Sequence, residues 1–211
     1  MTGYRLYGWP QTGSMGIEGA LAEAAVPHVV VQVDLQTDAN LGPDFTALNP
    51  RQQVPTLVLP DGTVVTECPA ILAHIADAFP QARLAPEPGS SARARHDRWL
   101  AFFHANIYEA MLREAYSDRY TADPATAPAV SAAATAYIRR HFQIFETDLD
   151  DGPYLFGQRL SMADILLWML CHWTDADWLA SACPRVDRLR ATASARPALG
   201  AVLARHYGPP V

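Results

Sequence analysis

The sequence predicts a small α/β domain followed by an all-helical domain. Three observations carry that reading: runs of β-branched residues are confined to the first third, a proline-rich break follows Phe79, and no convincing strand occurs from Ser91 onward. The expected boundaries are 1–79 for the α/β domain, 80–90 for a linker and 91–211 for the helical domain.

The first third reads β-α-β and then continues in strands. "YRLYG" is a short strand, "SMGIEGALAEAAV" a helix, and "HVVVQVDL", rich in β-branched residues, a second strand. A helix crossing between these strands makes them parallel. "NPRQQVPTLVLPDGTVVTE" reads as two strands joined at Pro60-Asp61-Gly62, where glycine permits the positive φ of a tight turn. In "PAILAHIADAF", Ile71, Leu72, Ile75 and Phe79 recur with a helical period. The linker "PQARLAPEPGS" breaks that period with prolines and a glycine. Beyond it, "ARARHDRWLAFFHANIYEAMLREAY", "PAVSAAATAYIRRHFQIFETDL", "MADILLWMLCHW" and "RVDRLRATASARPALGAVLARHY" all read as helices.

Half of the 211 residues are hydrophobic, enough for one large core or two smaller ones. A formal net charge of -6 argues against a phosphate-binding surface, so no nucleic-acid partner is expected. No apolar run approaches the roughly 18 residues of a membrane span. The opening "MTGYRLYGWP" lacks the apolar core of a secretory signal. Cys68, Cys171 and Cys183 lack C-x-x-C spacing, which disfavours both a disulfide framework and a zinc site. A cytosolic protein without a metal is the expectation.

Four stretches carry candidate chemistry. In "RLSMADILLW", Ser161 and Asp164 have capping-box spacing, flanked by Leu160 and Ile165 as a hydrophobic staple; Asp164 is read as a cap rather than a catalytic acid. In "QQVPTL", Val54-Pro55 is either a trans edge proline or a cis bond that turns the Val54 backbone toward a peptide-like ligand. In "TVVTECPAI", Pro69 suits the first helical position and places Cys68 at the N-cap. Free N-H groups there can hold a carboxylate and Glu67 an ammonium, together an α-amino-acid head group; the alternative is an ordinary helix start. In "YGWPQTGSMGIE", Thr12 and Ser14 put hydroxyls at a helix N-terminus, where they either cap the helix or stabilise an anion such as a thiolate.

Taken together, "LNPRQQVPTLVLPDGTVVTECPAI" and "LSMADILLW" resemble the cytosolic-type (bacterial) glutathione S-transferase family, in the right order and over nearly the whole chain. The resemblance implies a thioredoxin-like first domain, an all-α second domain, a homodimer, and glutathione as co-substrate. It implies a cis Val54-Pro55 bond. It also places the γ-glutamyl head at Glu67 and Cys68, the cysteinyl unit on the Val54 backbone beside Pro55, and the glycyl end near Gln53. Position 68 departs from the family's usual serine, so Cys68 is read as a ligand-binding residue and not a nucleophile.

The same alignment puts the serine-type hydroxyl at Thr12, the cysteine of bacterial members at Gly13 followed by Ser14, and the tyrosine-type phenol near Gly8, with Tyr7 one residue off on the other strand face. A hydroxyl at Thr12 or Ser14 is therefore the expected activator. Trp9, Tyr108, Leu112 and Tyr116 are candidates for the wall that takes an apolar electrophile, against the alternative that they are plain core. The expected activity is conjugation of the glutathione thiolate to such an electrophile. The alternatives are a non-catalytic binding protein of the same fold and a glutathione-dependent isomerase or lyase.

Overall fold

A computed structural model describes residues 3–149 and 151–208. The chain divides into two compact units: residues up to Ala85 with those from Ala193 onward, and Pro86–Thr192.

The first unit contains, among the described residues, a four-stranded sheet in the order β2-β1-β3-β4, built from β1 (Tyr4–Gly8), β2 (His28–Gln32), β3 (Thr56–Val58) and β4 (Val64–Val65). β1 and β2 are parallel, with Tyr4 opposite His28, as the intervening helix α1 (Ser14–Glu23) requires. β3 runs antiparallel to β1, with Tyr7 opposite Thr56. It turns into β4 through Pro60-Asp61-Gly62, where Gly62 takes φ 92°. Leu6 and Leu57 of the sheet are fully buried, as are Ile17 and Leu21 of α1 and Ile71, Leu72 and Ile75 of α3 (Cys68–Ala78). Burying such aliphatic side chains contributes roughly 1.5–3 kcal/mol each.

A short helix, α2 (Pro43–Leu48), lies where the sequence shows no period, because only Phe45 of its six residues is buried. It starts on Pro43 with Asp44 in the first turn, a favourable arrangement at a helix N-terminus.

The second unit is helical. α4 (Ser91–Phe102) runs through a π-helical stretch, Phe103–Tyr108, into α5 (Glu109–Ala115). α6 (Ala127–Asp148), α7 (Met162–Cys171), α8 (Ala176–Ala182) and α9 (Pro184–Ser194) follow. Every residue of α7 is buried. Trp99, Phe103 and Phe145 pack together, with ring centroids 4.7–5.5 Å apart. Beyond Ser91, pairing of β type among the described residues is limited to isolated bridges, Tyr154 with Gly157 and Phe156 with Arg159.

α7 starts at the expected capping box. Ser161 Oγ accepts the Asp164 N-H at 3.4 Å and the Asp164 carboxylate accepts the Ser161 N-H at 2.8 Å. The carboxylate also takes the Leu155 N-H at 2.8 Å and the Ser161 hydroxyl at 2.6 Å.

The last predicted helix is two. α9 ends at Ser194 and α10 (Pro197–Tyr207) begins after Arg196, whose backbone is extended at φ -70°, ψ 137°. Pro197 disfavours the helical conformation of the residue before it and suits the first turn of the next helix. This break returns the chain to the first unit, where α10 packs on α1.

Candidate functional site

β1 ends at Gly8, and the chain turns through Trp9-Pro10-Gln11-Thr12-Gly13 into α1. Three oxygens close a triangle in this turn. Thr12 Oγ1 lies 2.7 Å from the Trp9 carbonyl oxygen, Ser14 Oγ lies 3.0 Å from that oxygen, and the two hydroxyls are 2.9 Å apart. Ser14 Oγ also accepts the Trp9 N-H at 3.2 Å, and Thr12 Oγ1 accepts the Ser14 N-H at 3.3 Å. Only the two hydroxyls bring protons to the triangle. Either can serve the Trp9 carbonyl, so one proton is available for a further acceptor without leaving that carbonyl unpaired. Ser14 is 2% exposed, whereas Thr12 is half-buried, so Thr12 is the more accessible residue of the two. The N-cap of α1 is Gly13, in helical conformation, and the Thr12 hydroxyl takes the first N-H of the helix.

Gly8 is fixed by the same arrangement. A β-carbon on it would stand 2.4 Å from Ser14 Cβ and 2.5 Å from Ser14 Oγ. A side chain at this position therefore collides with the turn. Tyr7 points to the other sheet face, its ring 6.1 Å from that of Phe45.

The antiparallel register of β1 and β3 brings Val54 and Pro55 to the end of β1 that carries this turn. The Val54-Pro55 peptide is cis. The loop before it is organised by Asn49, a buried side chain. Its amide donates to the Gln53 carbonyl at 2.8 Å and to Thr56 Oγ1 at 3.0 Å, and its oxygen accepts the Arg51 N-H at 3.1 Å. Gln53 itself is exposed.

α3 begins one residue earlier than the sequence suggests. Glu67, at φ 67°, is the N-cap; Cys68 is already helical and Pro69 is in second place. The left-handed φ of Glu67 breaks the chain before Cys68, which shifts the cap. Glu67 is exposed and its carboxylate pairs with the Arg51 guanidinium. Cys68 is buried, with its sulfur 3.9 Å from the Gly13 carbonyl oxygen. That contact joins the Glu67-Cys68 corner to the Thr12 turn, so Thr12, Ser14, Val54, Pro55, Glu67 and Cys68 gather at one end of the sheet.

Trp9 is half-buried in the first unit. The other three aromatic and apolar candidates belong to the second. Tyr108 is buried, with its ring centroid 5.1 Å from His104 and 5.3 Å from Trp173. Leu112 is half-buried, and its carbonyl takes the Tyr116 N-H at 2.9 Å. Tyr116 is exposed, with the Arg119 guanidinium 4.3 Å from its ring centroid. Burial pushes the Cys171 thiol far up and the Cys183 thiol up to about 12, so neither is a thiolate at neutral pH.

Sequence reasoning missed Asn49, Arg51 and the buried pair Glu18 and His206. Asn49 stands in the quoted Asn-Pro, but nothing local shows where its amide points. Glu18 and His206 lie 188 positions apart and meet only when α10 returns to α1.

Residues 14–78 match the family model described as glutathione S-transferase, N-terminal domain, and residues 128–205 the one described as glutathione S-transferase, C-terminal domain. Glutathione S-transferase GstA of Escherichia coli O157:H7 is 29% identical over 82% of this chain and 83% of its own. A glutathione transferase homologue from Sulfitobacter, crystallised with bound glutathione, superposes with a TM-score of 0.90 at 29% identity, covering 97% of this chain and 99% of that one. A glutathione transferase from Methylococcus capsulatus strain Bath gives a TM-score of 0.82 at 31% identity, covering 96% and 98%.

Proposed function

Because the chain belongs to the glutathione S-transferase family, with glutathione as co-substrate, we propose that its first unit ionises the glutathione thiol through the Thr12 hydroxyl. The oxygen triangle of Trp9, Thr12 and Ser14 carries this reading. When Ser14 donates to the Trp9 carbonyl, the Thr12 proton turns to the sulfur. A thiol left to itself ionises with a pKa of roughly 8.5, so a donor aimed at the sulfur raises the thiolate fraction at neutral pH. The thiol proton passes to solvent. A sulfur lone pair then forms the new bond to the electrophilic carbon, and the leaving group departs with its electron pair or, in an addition, takes up a proton.

The rest of the ligand is assigned by chemistry. Glu67 receives the α-ammonium, and the first N-H groups of α3, beginning at Cys68, receive the α-carboxylate. The Val54 backbone, set by the Val54-Pro55 bond, pairs with the cysteinyl unit, and Gln53 lies toward the glycyl end. Within the first unit, Trp9 is assigned to the apolar electrophile. The gathering of the Thr12 turn and the Glu67-Cys68 corner supports the first part of this assignment.

The protein acts as a homodimer in the cytosol. Its cysteines are free thiols, and among the described residues no helix is long and apolar enough to cross a membrane. Sedimentation at micromolar concentration tests the dimer. The functional test is calorimetric titration with glutathione followed by turnover of aryl halide, epoxide and peroxide substrates. Binding with turnover of an aryl halide or epoxide is expected. Binding without turnover of any of them makes the protein a glutathione-binding member of the fold, and absence of binding sinks the reading.

A further inference from the structure

His206, near the end of α10, is 8% exposed and sits against the Thr12 turn. Its Nδ1 accepts the backbone N-H of Gln11 at 3.0 Å, and its Nε2 lies 2.9 Å from Glu18 Oε2. A backbone N-H only donates, so Nδ1 carries its lone pair. The ring proton is therefore on Nε2 and is donated to Glu18. Glu18 is 4% exposed, and its other oxygen takes Arg205 Nε at 2.7 Å. Burial alone would push the Glu18 carboxyl up; the hydrogen bonds from His206 and Arg205 outweigh it and hold the carboxyl below its ordinary value. The Gln11 side chain reaches back, its Nε2 3.4 Å from the His206 carbonyl oxygen.

Gln11 needs such a hold. It sits at φ 59°, a left-handed conformation that residues with a β-carbon adopt at an energetic cost. The next residue is Thr12. If Gln11 relaxes to a negative φ, the peptide that carries Thr12 rotates and the triangle with Trp9 and Ser14 opens.

We infer that His206 is a positioning residue for thiol activation: held by Glu18, it fixes the Gln11 backbone and thereby aims the Thr12 hydroxyl. The inference rests on the reading that Thr12 serves the glutathione sulfur.

The experiment uses the full chain and the variants His206→Phe, His206→Gln, Thr12→Val and the double variant His206→Phe/Thr12→Val. Glutamine can accept the Gln11 N-H through its oxygen and donate to Glu18 through its nitrogen, the same polarity as the native ring. In His206→Phe, the Gln11 amide should exchange with solvent roughly tenfold faster or more, the effect of losing one such bond. Ultraviolet titration of the bound thiolate should show the glutathione pKa raised as far as in Thr12→Val, with the double variant no higher. Turnover falls while glutathione affinity stays within about threefold, because the head-group contacts are elsewhere. His206→Gln restores both the exchange rate and the pKa.

Unchanged Gln11 exchange and thiol pKa in folded His206→Phe overturn the inference, as does failure of His206→Gln to restore them. Nitrogen NMR of the native ring tests it without any variant: an unprotonated Nδ1 is required, and a protonated Nδ1 at neutral pH overturns it. If His206→Phe shifts the pKa and Thr12→Val does not, the activator assignment falls while the anchor on Gln11 stands. The reverse pattern removes the anchor and keeps the activator.

Discussion

Ser14 occupies the space that any side chain at Gly8 would need: a β-carbon there would lie 2.4 Å from Ser14 Cβ. Two consequences follow from this one contact. Position 8 cannot carry a phenol while the turn keeps its shape, which agrees with the proposed hydroxyl activator. Gly8 is also required by packing and not by backbone conformation, since it is not among the glycines with positive φ.

Gly8→Ala is therefore expected to destabilise the protein by roughly 1–3 kcal/mol, the cost of overpacking. Strand propensity alone would favour alanine over glycine. Urea denaturation of Gly8→Ala, Ser14→Gly and the pair reads the contact as a coupling energy, with the pair recovering part of the loss. Equal stability of Gly8→Ala and the native chain would show that Ser14 yields freely.

Thr12→Val should raise the pKa of bound glutathione and lower turnover, with affinity nearly preserved. Ser14→Ala should also raise that pKa, but less, because Thr12 then has to serve the Trp9 carbonyl itself. This differs from a mere capping role for Ser14, whose hydroxyl accepts the Trp9 N-H and not one from the first turn of α1. The pH profiles of kcat and kcat/KM report both effects. A larger shift from Ser14→Ala than from Thr12→Val would transfer the activator role to Ser14.

What the sequence revealed and what it hid separate by range. The Ser161-Asp164 box, the Gly62 turn and the parallel pairing of β1 with β2 depend on residues close in the chain or on a connection rule, and they were legible. So was the recurrence of apolar residues that builds α3. α2 was not, because a single buried residue, Phe45, gives no period. Pro197 announced a helix break, but the apolar period continued past it and masked the signal. The Gln11-His206 bond joins residues 195 positions apart, and neither carries a local mark of the other. Arg51 likewise reads as a solvated charge until the loop brings it to Glu67.

Glu67→Ala is expected to weaken glutathione binding by roughly 1.5–3 kcal/mol, the range for hydrogen bonds to charged groups. Its pairing with Arg51 adds little to the fold: the two side chains are 55% and 43% exposed, so Arg51→Ala should change stability by less than about 1 kcal/mol. Calorimetry reads the first and urea denaturation the second. Native affinity in Glu67→Ala would move the ammonium site elsewhere, and a large stability loss in Arg51→Ala would make the pair structural.

The Ser161-Asp164 box makes a prediction about pH. Asp164 is fully buried, and burial raises its carboxyl from 3.8 to about 6, against the hydrogen bonds from Leu155 and Ser161 that lower it. A pKa raised in the folded state means that the folded chain binds a proton the unfolded chain has released. That contribution to stability is complete below the unfolded pKa of 3.8 and is lost as pH rises through about 6. A shift of about two units corresponds to roughly 3 kcal/mol. Asp164→Asn removes the titration and leaves the other groups, Glu18 included, in place. The native chain's advantage over Asp164→Asn should therefore be larger at pH 4 than at pH 7, by up to roughly 3 kcal/mol. Urea denaturation across that range measures the difference, in which other titrations cancel. An advantage that instead grows with pH would mean that the donors at Leu155 and Ser161 outweigh burial and that the capping carboxylate is ionised throughout.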